Sequence, residues 1–290
     1  YPLNKRRYSL LCMELRKLLI TPKAICVLLS AMAINITYLA GIHEAIPAKD
    51  AISLLTPMLL LLSSPQIFPS PHFFMSVFVF FLLAQIPFTG RDFPYHMIRT
   101  DKKKWIKRQI HLIILANIVL FLFFFLTSVI ALIPHLSLSI EWNNNLLTWQ
   151  DEQIGIWYTY IPYAVIHQVS LVQAFLCATC LWILYGICGG LLLLLLRFCV
   201  PRVKNAGLGI IFCMYFYDYL CEYNLPYVAR FFSPVALSRI TFLNWGYDPV
   251  FPSVLYAFLF FGVTCIVLIL ITMNIGKSME LDRISSRIDR

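Results

Sequence analysis

Two carboxylates inside an apolar stretch, Asp218 and Glu222, are the residues of this sequence with the clearest chemical potential. Ionisable side chains within a membrane span are costly, and they tend to face a polar cavity or a partner of opposite charge. Residues four apart share one helix face. At ~1.5 Å per residue from Ala206, Asp218 lies about 18 Å along the helix, in the outer half of a ~30 Å hydrocarbon core. The pair is therefore a candidate lining of a translocation path. The alternative is that both reach the outer interface or pair with Arg230 or Arg239.

The apolar run at about 170–196 carries two further patterns. His167 and Gln173 lie at its head and are additional candidates for polar contacts along a path. Gly186 and Gly190 have the Gly-x-x-x-Gly spacing that lets two helices approach closely in lipid. The sequence does not distinguish a partner helix in the same chain from one in another subunit.

Motifs for catalysis, metal binding and nucleotide binding are incomplete. Gly276-Lys277-Ser278 resembles the end of a phosphate-binding loop, but Ile271 stands where the loop needs its first glycine. His43-Glu44 is not followed by a second histidine one turn on, as a zinc motif requires. We expect no catalytic residue, metal site or bound cofactor in this chain. If ATP drives the protein, another chain must bind it.

The composition excludes a soluble globular protein. The 290 residues are 60% hydrophobic and 13% charged, and the mean hydropathy is +0.78. Soluble domains carry about 25% charged residues. Most of the length lies in apolar runs of about 20 residues, the length of a transmembrane helix. The fold class is therefore predicted to be all-α, a polytopic membrane protein.

The positions of the basic residues predict six spans with both termini in the cytoplasm. Twenty of the 23 Lys and Arg residues fall in four clusters, at 5–23, 91–108, 197–204 and 277–290, which the positive-inside rule places inside. Such short clusters beside a membrane favour contact with anionic lipid over nucleic acid. The predicted spans lie at about 24–42, 72–89, 110–133, 170–196, 206–223 and 253–274. They follow an interfacial amphipathic helix within 1–23 and precede a cytoplasmic tail at 275–290.

Two apolar segments are too short or too rich in proline to span. Residues 51–62 are followed by three prolines within 65–71, and counting them as a crossing would place the basic stretch 91–108 outside. We interpret them as an outer-leaflet or re-entrant piece leading into a broken second helix. Residues 231–252 are predicted to dip back into the outer leaflet in the same way.

The cytoplasmic stretch 91–108 contains more than a topology signal requires. Aromatic and aliphatic residues alternate with its charges, which is typical of a surface that docks another protein; packing at the lipid interface is the alternative. The candidate docking residues are Phe93, Tyr95, Ile98, Arg99 and Trp105.

Three segments together resemble the membrane (permease) subunit of bacterial ABC-2 type transporters. They are Glu14–Pro22 ahead of the first span, Arg99–Trp105 between the second and third spans, and the Ser233-Pro234 and Pro252-Ser253 pairs around the start of the sixth. In that family two six-span subunits pair with two cytoplasmic ATPases. The first intracellular loop carries a coupling helix, and the outer connection between spans five and six re-enters the membrane. The resemblance implies a connecting helix at 8–20 and a coupling segment at 93–108.

The expected function is that of the transmembrane subunit of an ATP-driven exporter in a bacterial cytoplasmic membrane. It would form the path for a lipophilic or amphipathic substrate, such as a peptide, a drug or a lipid-linked molecule. Its partners would be a cytoplasmic ATPase carrying ATP and Mg²⁺ and a second copy or a related permease subunit. The alternatives are a proton-coupled secondary transporter that uses the membrane carboxylates, and a membrane-embedded enzyme that processes lipid or peptide.

Overall fold

A computed structural model describes residues 2–45, 51–64, 70–87, 102–142, 161, 163–200, 206–246 and 250–278. Its α-helices are α1 (Pro2–Leu19), α2 (Pro22–Ala45), α3 (Thr56–Leu62), α4 (Pro71–Leu83), α5 (Lys102–Ala131), α6 (Tyr163–Gln168), α7 (Leu171–Cys199), α8 (Ala206–Tyr223), α9 (Pro234–Ser238) and α10 (Val254–Ser278). Short 3-10 helices cover Ile133–His135, Tyr227–Phe232 and Ile240–Phe242. Two short strands, β1 (Ile52–Ser53) and β2 (Leu136–Ser137), pair in parallel. The predicted all-α class is confirmed.

Four helices of this described part are long and apolar enough to cross a membrane: Pro22–Ala40, Lys102–Ala131, Leu171–Cys199 and Val254–Ile275. They coincide with the predicted spans one, three, four and six. The predicted spans two and five correspond to α4 and α8, which are not among the four. The protein is therefore a helical membrane protein with four candidate spanning helices.

The N-terminal helix α1 is amphipathic. Leu18 is buried in the core while Arg16 and Lys17 are exposed. Glu14 forms a salt bridge with Arg108 at 2.9 Å, which ties α1 to the first turns of α5. A proline at position 22 starts α2, where its fixed φ suits the first turn of a helix.

The helix α7 lies at the centre of the bundle and packs on α4, α5 and α10. Its glycines allow this close approach, because a Cβ built on Gly186 would lie 2.1 Å from Asn117 Oδ1 of α5. A Cβ on Gly190 would lie 2.6 Å from Ile113 of α5, and one on Gly189 would lie 2.2 Å from Phe80 of α4. The Gly-x-x-x-Gly pattern therefore serves packing between helices of the same chain.

The region predicted to hold the second span is divided into two short helices. The helix expected at 72–89 ends at Leu83, after 13 residues. It is preceded by α3, whose seven residues are all buried among α2, α4, α5 and α7. α3 is thus a part of the bundle interior.

These two short helices occupy opposite ends of the bundle. β1 pairs with β2 just beyond the C-terminus of α5, so α3 begins at that end. At the other end, Arg197 near the C-terminus of α7 donates to the carbonyl oxygen of Ala84, just after α4, at 2.6 Å. The first turn of α4 lies at mid-depth, since the ring of His72 is 5.7 Å from that of Tyr185, halfway along α7.

Residues 233–239, in the connection between α8 and α10, pack inside the bundle, and the dip of residues 231–252 into the outer leaflet stays a prediction. Val235 and Leu237 of α9 have no exposed surface, and α9 packs on α7 and α8. Two hydrogen bonds join the flanks of this segment. The backbone N–H of Asn244 donates to the Pro252 carbonyl at 2.9 Å, and Tyr256 Oη donates to the Phe231 carbonyl at 3.0 Å.

Candidate functional site

Eight polar side chains meet inside the bundle, where the first turn of α4 faces α7, α8 and the returning segment around α9. They are His72, Ser76, Tyr185, Tyr215, Asp218, Ser233, Ser238 and Arg239, and we call them the buried polar cluster. None has more than 5% of its surface exposed. Polar groups at this depth are costly unless they are hydrogen-bonded, so their partners define what the site can do.

His72 connects two elements that are distant in sequence. Its Nδ1 lies 2.5 Å from Tyr215 Oη of α8, and its Nε2 lies 3.0 Å from Ser238 Oγ of α9. In a neutral imidazole one nitrogen donates and the other accepts, so both contacts are satisfied without a charge on the ring. The position of the ring is fixed by the start of α4, where Ser70 Oγ accepts from the backbone N–H of Phe73 at 3.1 Å.

Asp218 holds the returning segment through two side chains. Its Oδ1 accepts from Ser233 Oγ at 2.6 Å, and its Oδ2 forms an ion pair with Arg239. Ser233 also caps α9, because the backbone N–H of Ala236 donates to Ser233 Oγ at 3.2 Å. The guanidinium carbon of Arg239 lies 4.4 Å from the centre of the Phe242 ring, a cation–π contact. Each of the two buried charges thus has an opposite charge beside it.

Ser76 and Tyr185 complete the cluster. Ser76 Oγ donates to the carbonyl oxygen of His72 at 2.8 Å and lies 3.2 Å from Tyr215 Oη. Tyr185 of α7 stacks obliquely between His72 and Phe80, with ring centres 5.7 and 5.4 Å away. The cluster therefore brings together side chains from α4, α7, α8 and the segment around α9.

The cluster contains groups that can bind and transfer protons, namely a carboxylate, an imidazole and two phenols. The neighbouring Ser238 and His72 have the spacing of a nucleophile and its base. Ser238 Oγ, however, donates to the carbonyl oxygen of Val235 at 2.8 Å, and the side chain is only 1% exposed, so an acyl substrate does not reach it in this conformation. Among the described residues no group of three potential ligands could hold a metal ion.

The residues predicted for the translocation path separate into two sets. Asp218 lies in the cluster and pairs with Arg239, which is one of the two interpretations that the sequence left open. Glu222, one turn further along α8, is only partly buried. His167 and Gln173 are exposed, and Gln173 forms a capping box with Ser170 at the start of α7. The geometry therefore gives Gln173 a helix-capping role.

Most of the residues predicted for docking lie outside the described part of the chain. Phe93, Tyr95, Ile98 and Arg99 are outside the described residues. Trp105 is described and is 5% exposed, with its ring centre 6.0 Å from that of Phe198. The side chain of Trp105 packs between α5 and α7, because the first turn of α5 lies against the end of α7, and its role in docking stays a prediction.

Sequence reasoning missed His72 and Arg239 as members of the site. The signal was present, since both are ionisable residues within or between apolar segments. His72 sits at the expected start of a span, and Arg239 was considered only as a counter-ion. What was missing was the fold of residues 231–252, which brings them together.

Comparison of the chain with protein-family models, with curated proteins and with solved structures finds no match. The function is therefore argued from the arrangement of the helices and from the cluster itself.

Proposed function

We propose that this chain is the transmembrane subunit of an ATP-driven exporter of the ABC-2 type. The observation that carries the proposal is the order of its elements. An amphipathic helix docks beside the start of α5, the second apolar region is interrupted, and the connection before the last helix returns into the bundle. The amphipathic helix and the returning connection are what the resemblance implies, whereas the interruption of the second apolar region departs from the simplest layout of that family.

Six crossings are consistent with the lengths of the helices. α3 and α4 have 7 and 13 residues, which at ~1.5 Å per residue amount to about 10 and 20 Å. Placed end to end they would span the ~30 Å hydrocarbon core once. α8 has 18 residues and would reach about 27 Å. Interrupted helices are tolerated at this depth only where protein surrounds the freed backbone groups, and all of α3 is buried.

The charge distribution supports the proposed orientation. With both termini in the cytoplasm of a bacterium, the described basic residues at the start of α5 and the end of α7 face inward. The stretch 93–108 would then meet a cytoplasmic ATPase, which carries ATP and Mg²⁺. With Trp105 buried, the proposed anchors are Phe93 and Tyr95, next to Ile98 and Arg99. A second copy of the chain or a related permease would complete the path.

The proposed path takes a lipophilic or amphipathic substrate. The described interior of the bundle is mostly apolar and includes the buried polar cluster. A substrate with an apolar body and a polar end suits both environments.

The test is co-purification of this chain with its ATPase, followed by a docking variant. The double variant Phe93→Ala/Tyr95→Ala should lose the ATPase or uncouple its hydrolysis, because interface energy concentrates in a few aromatic anchors that each contribute ~2 kcal/mol or more. The matched control is Phe212→Ala, an exposed aromatic on α8 away from the loop, which should keep the ATPase. Full stoichiometry and normal coupling in the double variant would refute the docking role.

The alternative is a proton-coupled secondary transporter. The observation in its favour is the burial of Asp218, His72 and Arg239 in the buried polar cluster, since intramembrane ionisable groups often form proton relays. The same purification separates the two functions. A stoichiometric ATPase supports the exporter, whereas activity of the chain alone, driven by a pH gradient in liposomes, supports the secondary transporter.

A further inference from the structure

The segment 233–239 is held in the bundle by a small set of polar side chains. Ser233 and Arg239, at its two ends, both contact Asp218 of α8. Ser238 contacts His72 of α4 at 3.0 Å. These contacts join the returning segment to α8 and to the first turn of α4, just after the interruption between α3 and α4.

The segment has little stability of its own. α9 has five residues and is flanked by 3-10 turns, so few backbone hydrogen bonds support it. The N–H groups of Leu237 and Arg239 donate to the carbonyls of Ser233 and Ala236 at 3.0 and 3.1 Å. Its position therefore depends on contacts with its surroundings, and the burial of Val235 and Leu237 makes the inserted position the resting one.

The polar contacts are suited to release. A buried ion pair gains Coulomb energy but loses the hydration of both charges, so its net contribution is small while it is intact. When the segment moves outward, water replaces each of these partners. Removal of one partner alone has a different effect, because it leaves an uncompensated charge inside the closed structure.

We propose that Asp218, Arg239, Ser238 and His72 form a latch that holds residues 233–239 in the bundle, and that its release opens the outer half of the path. The role as the outer gate rests on the proposed function. The latch itself is a property of the fold and needs neither an ATPase nor a substrate.

The experiment is peptide-resolved hydrogen exchange on the full chain in lipid nanodiscs. Asp218→Asn leaves the Arg239 charge buried without its counter-ion, so peptides covering 233–242 should exchange about tenfold faster or more. Arg239→Gln should have the same effect through Asp218. The double variant restores neutrality, and its exchange should be slower than that of either single variant. Peptides from the centre of α7 should be unchanged in all three.

Two further variants make the result decisive. Glu14→Gln breaks the described salt bridge at the other end of the bundle and should leave residues 233–242 unaffected. If Asp218→Asn does not fold, Ser238→Ala takes its place, because it removes the contact to His72 together with the hydrogen bond to the Val235 carbonyl and should accelerate exchange in the same peptides.

The latch is refuted by unchanged exchange in 233–242 in the single variants that fold. Additive effects in the double variant, or equal acceleration in α7, would also refute it, because they would show a general structural role. An ATPase complex together with unchanged exchange would leave the exporter function intact and remove only the latch. Faster exchange confined to residues 233–242, in a chain that has no ATPase partner, would support the latch and refute the exporter function.

Discussion

At the scale of single residues, the contact between His72 and Tyr215 can be tested by a conservative substitution. Tyr215→Phe removes one hydroxyl and leaves His72 Nδ1 and Ser76 with one partner fewer in a buried site. An unsatisfied buried group costs about 1–3 kcal/mol, so the melting temperature of the purified protein should fall measurably. The matched control is Tyr219→Phe on the same helix, whose side chain is 47% exposed and whose loss should change little.

Equal melting temperatures for the two variants would show that the Tyr215 hydroxyl is satisfied in another way. The comparison is informative because both changes remove the same atom from the same helix. The two hydroxyl groups differ in their burial and in their hydrogen-bond partners.

Residue types alone were enough to single out Asp218, because a carboxylate in an apolar run is a rare and costly feature. They were not enough to choose between a cavity and an ion pair. The choice between a cavity and an ion pair depends on where Arg239 lies. Arg239 is separated from Asp218 by a segment that has no regular periodicity. The partners of a buried charge are set by tertiary contacts, which a hydrophobic pattern does not encode.

At the scale of elements, the glycines of α7 control the fit of three helices. Gly189→Ala would place a Cβ 2.2 Å from the Phe80 ring, so α4 or that ring must move. Overpacking of this kind typically destabilises by 1–3 kcal/mol, which exceeds the ~1 kcal/mol that alanine gains over glycine in a helix. We expect a lower melting temperature for the variant.

Gly262→Ala on α10 is the control, because nothing lies within 4 Å of the added atom. Alanine there should be neutral or stabilise the helix slightly. If both alanine variants are equally tolerated, the close approach of α4 to α7 is not as described.

Long helices are the elements that the sequence predicted well. The bounds expected at 170–196 and 253–274 differ from α7 and α10 by a few residues. The interruption between α3 and α4 was predicted from the proline content of residues 65–71, but the burial of α3 was not. An apolar run of about twelve residues fits an interfacial position and an interior position equally well, and only the neighbouring helices decide between them.

At the scale of the whole molecule, the proposed arrangement of six crossings predicts which surfaces face outward. Ser139 follows β2 beyond the C-terminus of α5, and Lys104 lies in its first turn, and both are exposed. The two positions are at opposite ends of a 30-residue helix about 45 Å long, which is long enough to cross a bilayer, so they are expected on opposite sides of the membrane. The positive-inside rule predicts that the end with the basic cluster around Lys104 is cytoplasmic.

In intact cells, a membrane-impermeant maleimide should therefore label Ser139→Cys and should not label Lys104→Cys. Labelling is read on the peptide that contains each position, since the native cysteines also react. Permeabilised cells provide the control, because both positions should then be labelled. Labelling of Lys104→Cys from outside would show that the predicted topology is wrong. Residues 93–108 would then not face the cytoplasm, and the proposed docking to a cytoplasmic ATPase requires that they do.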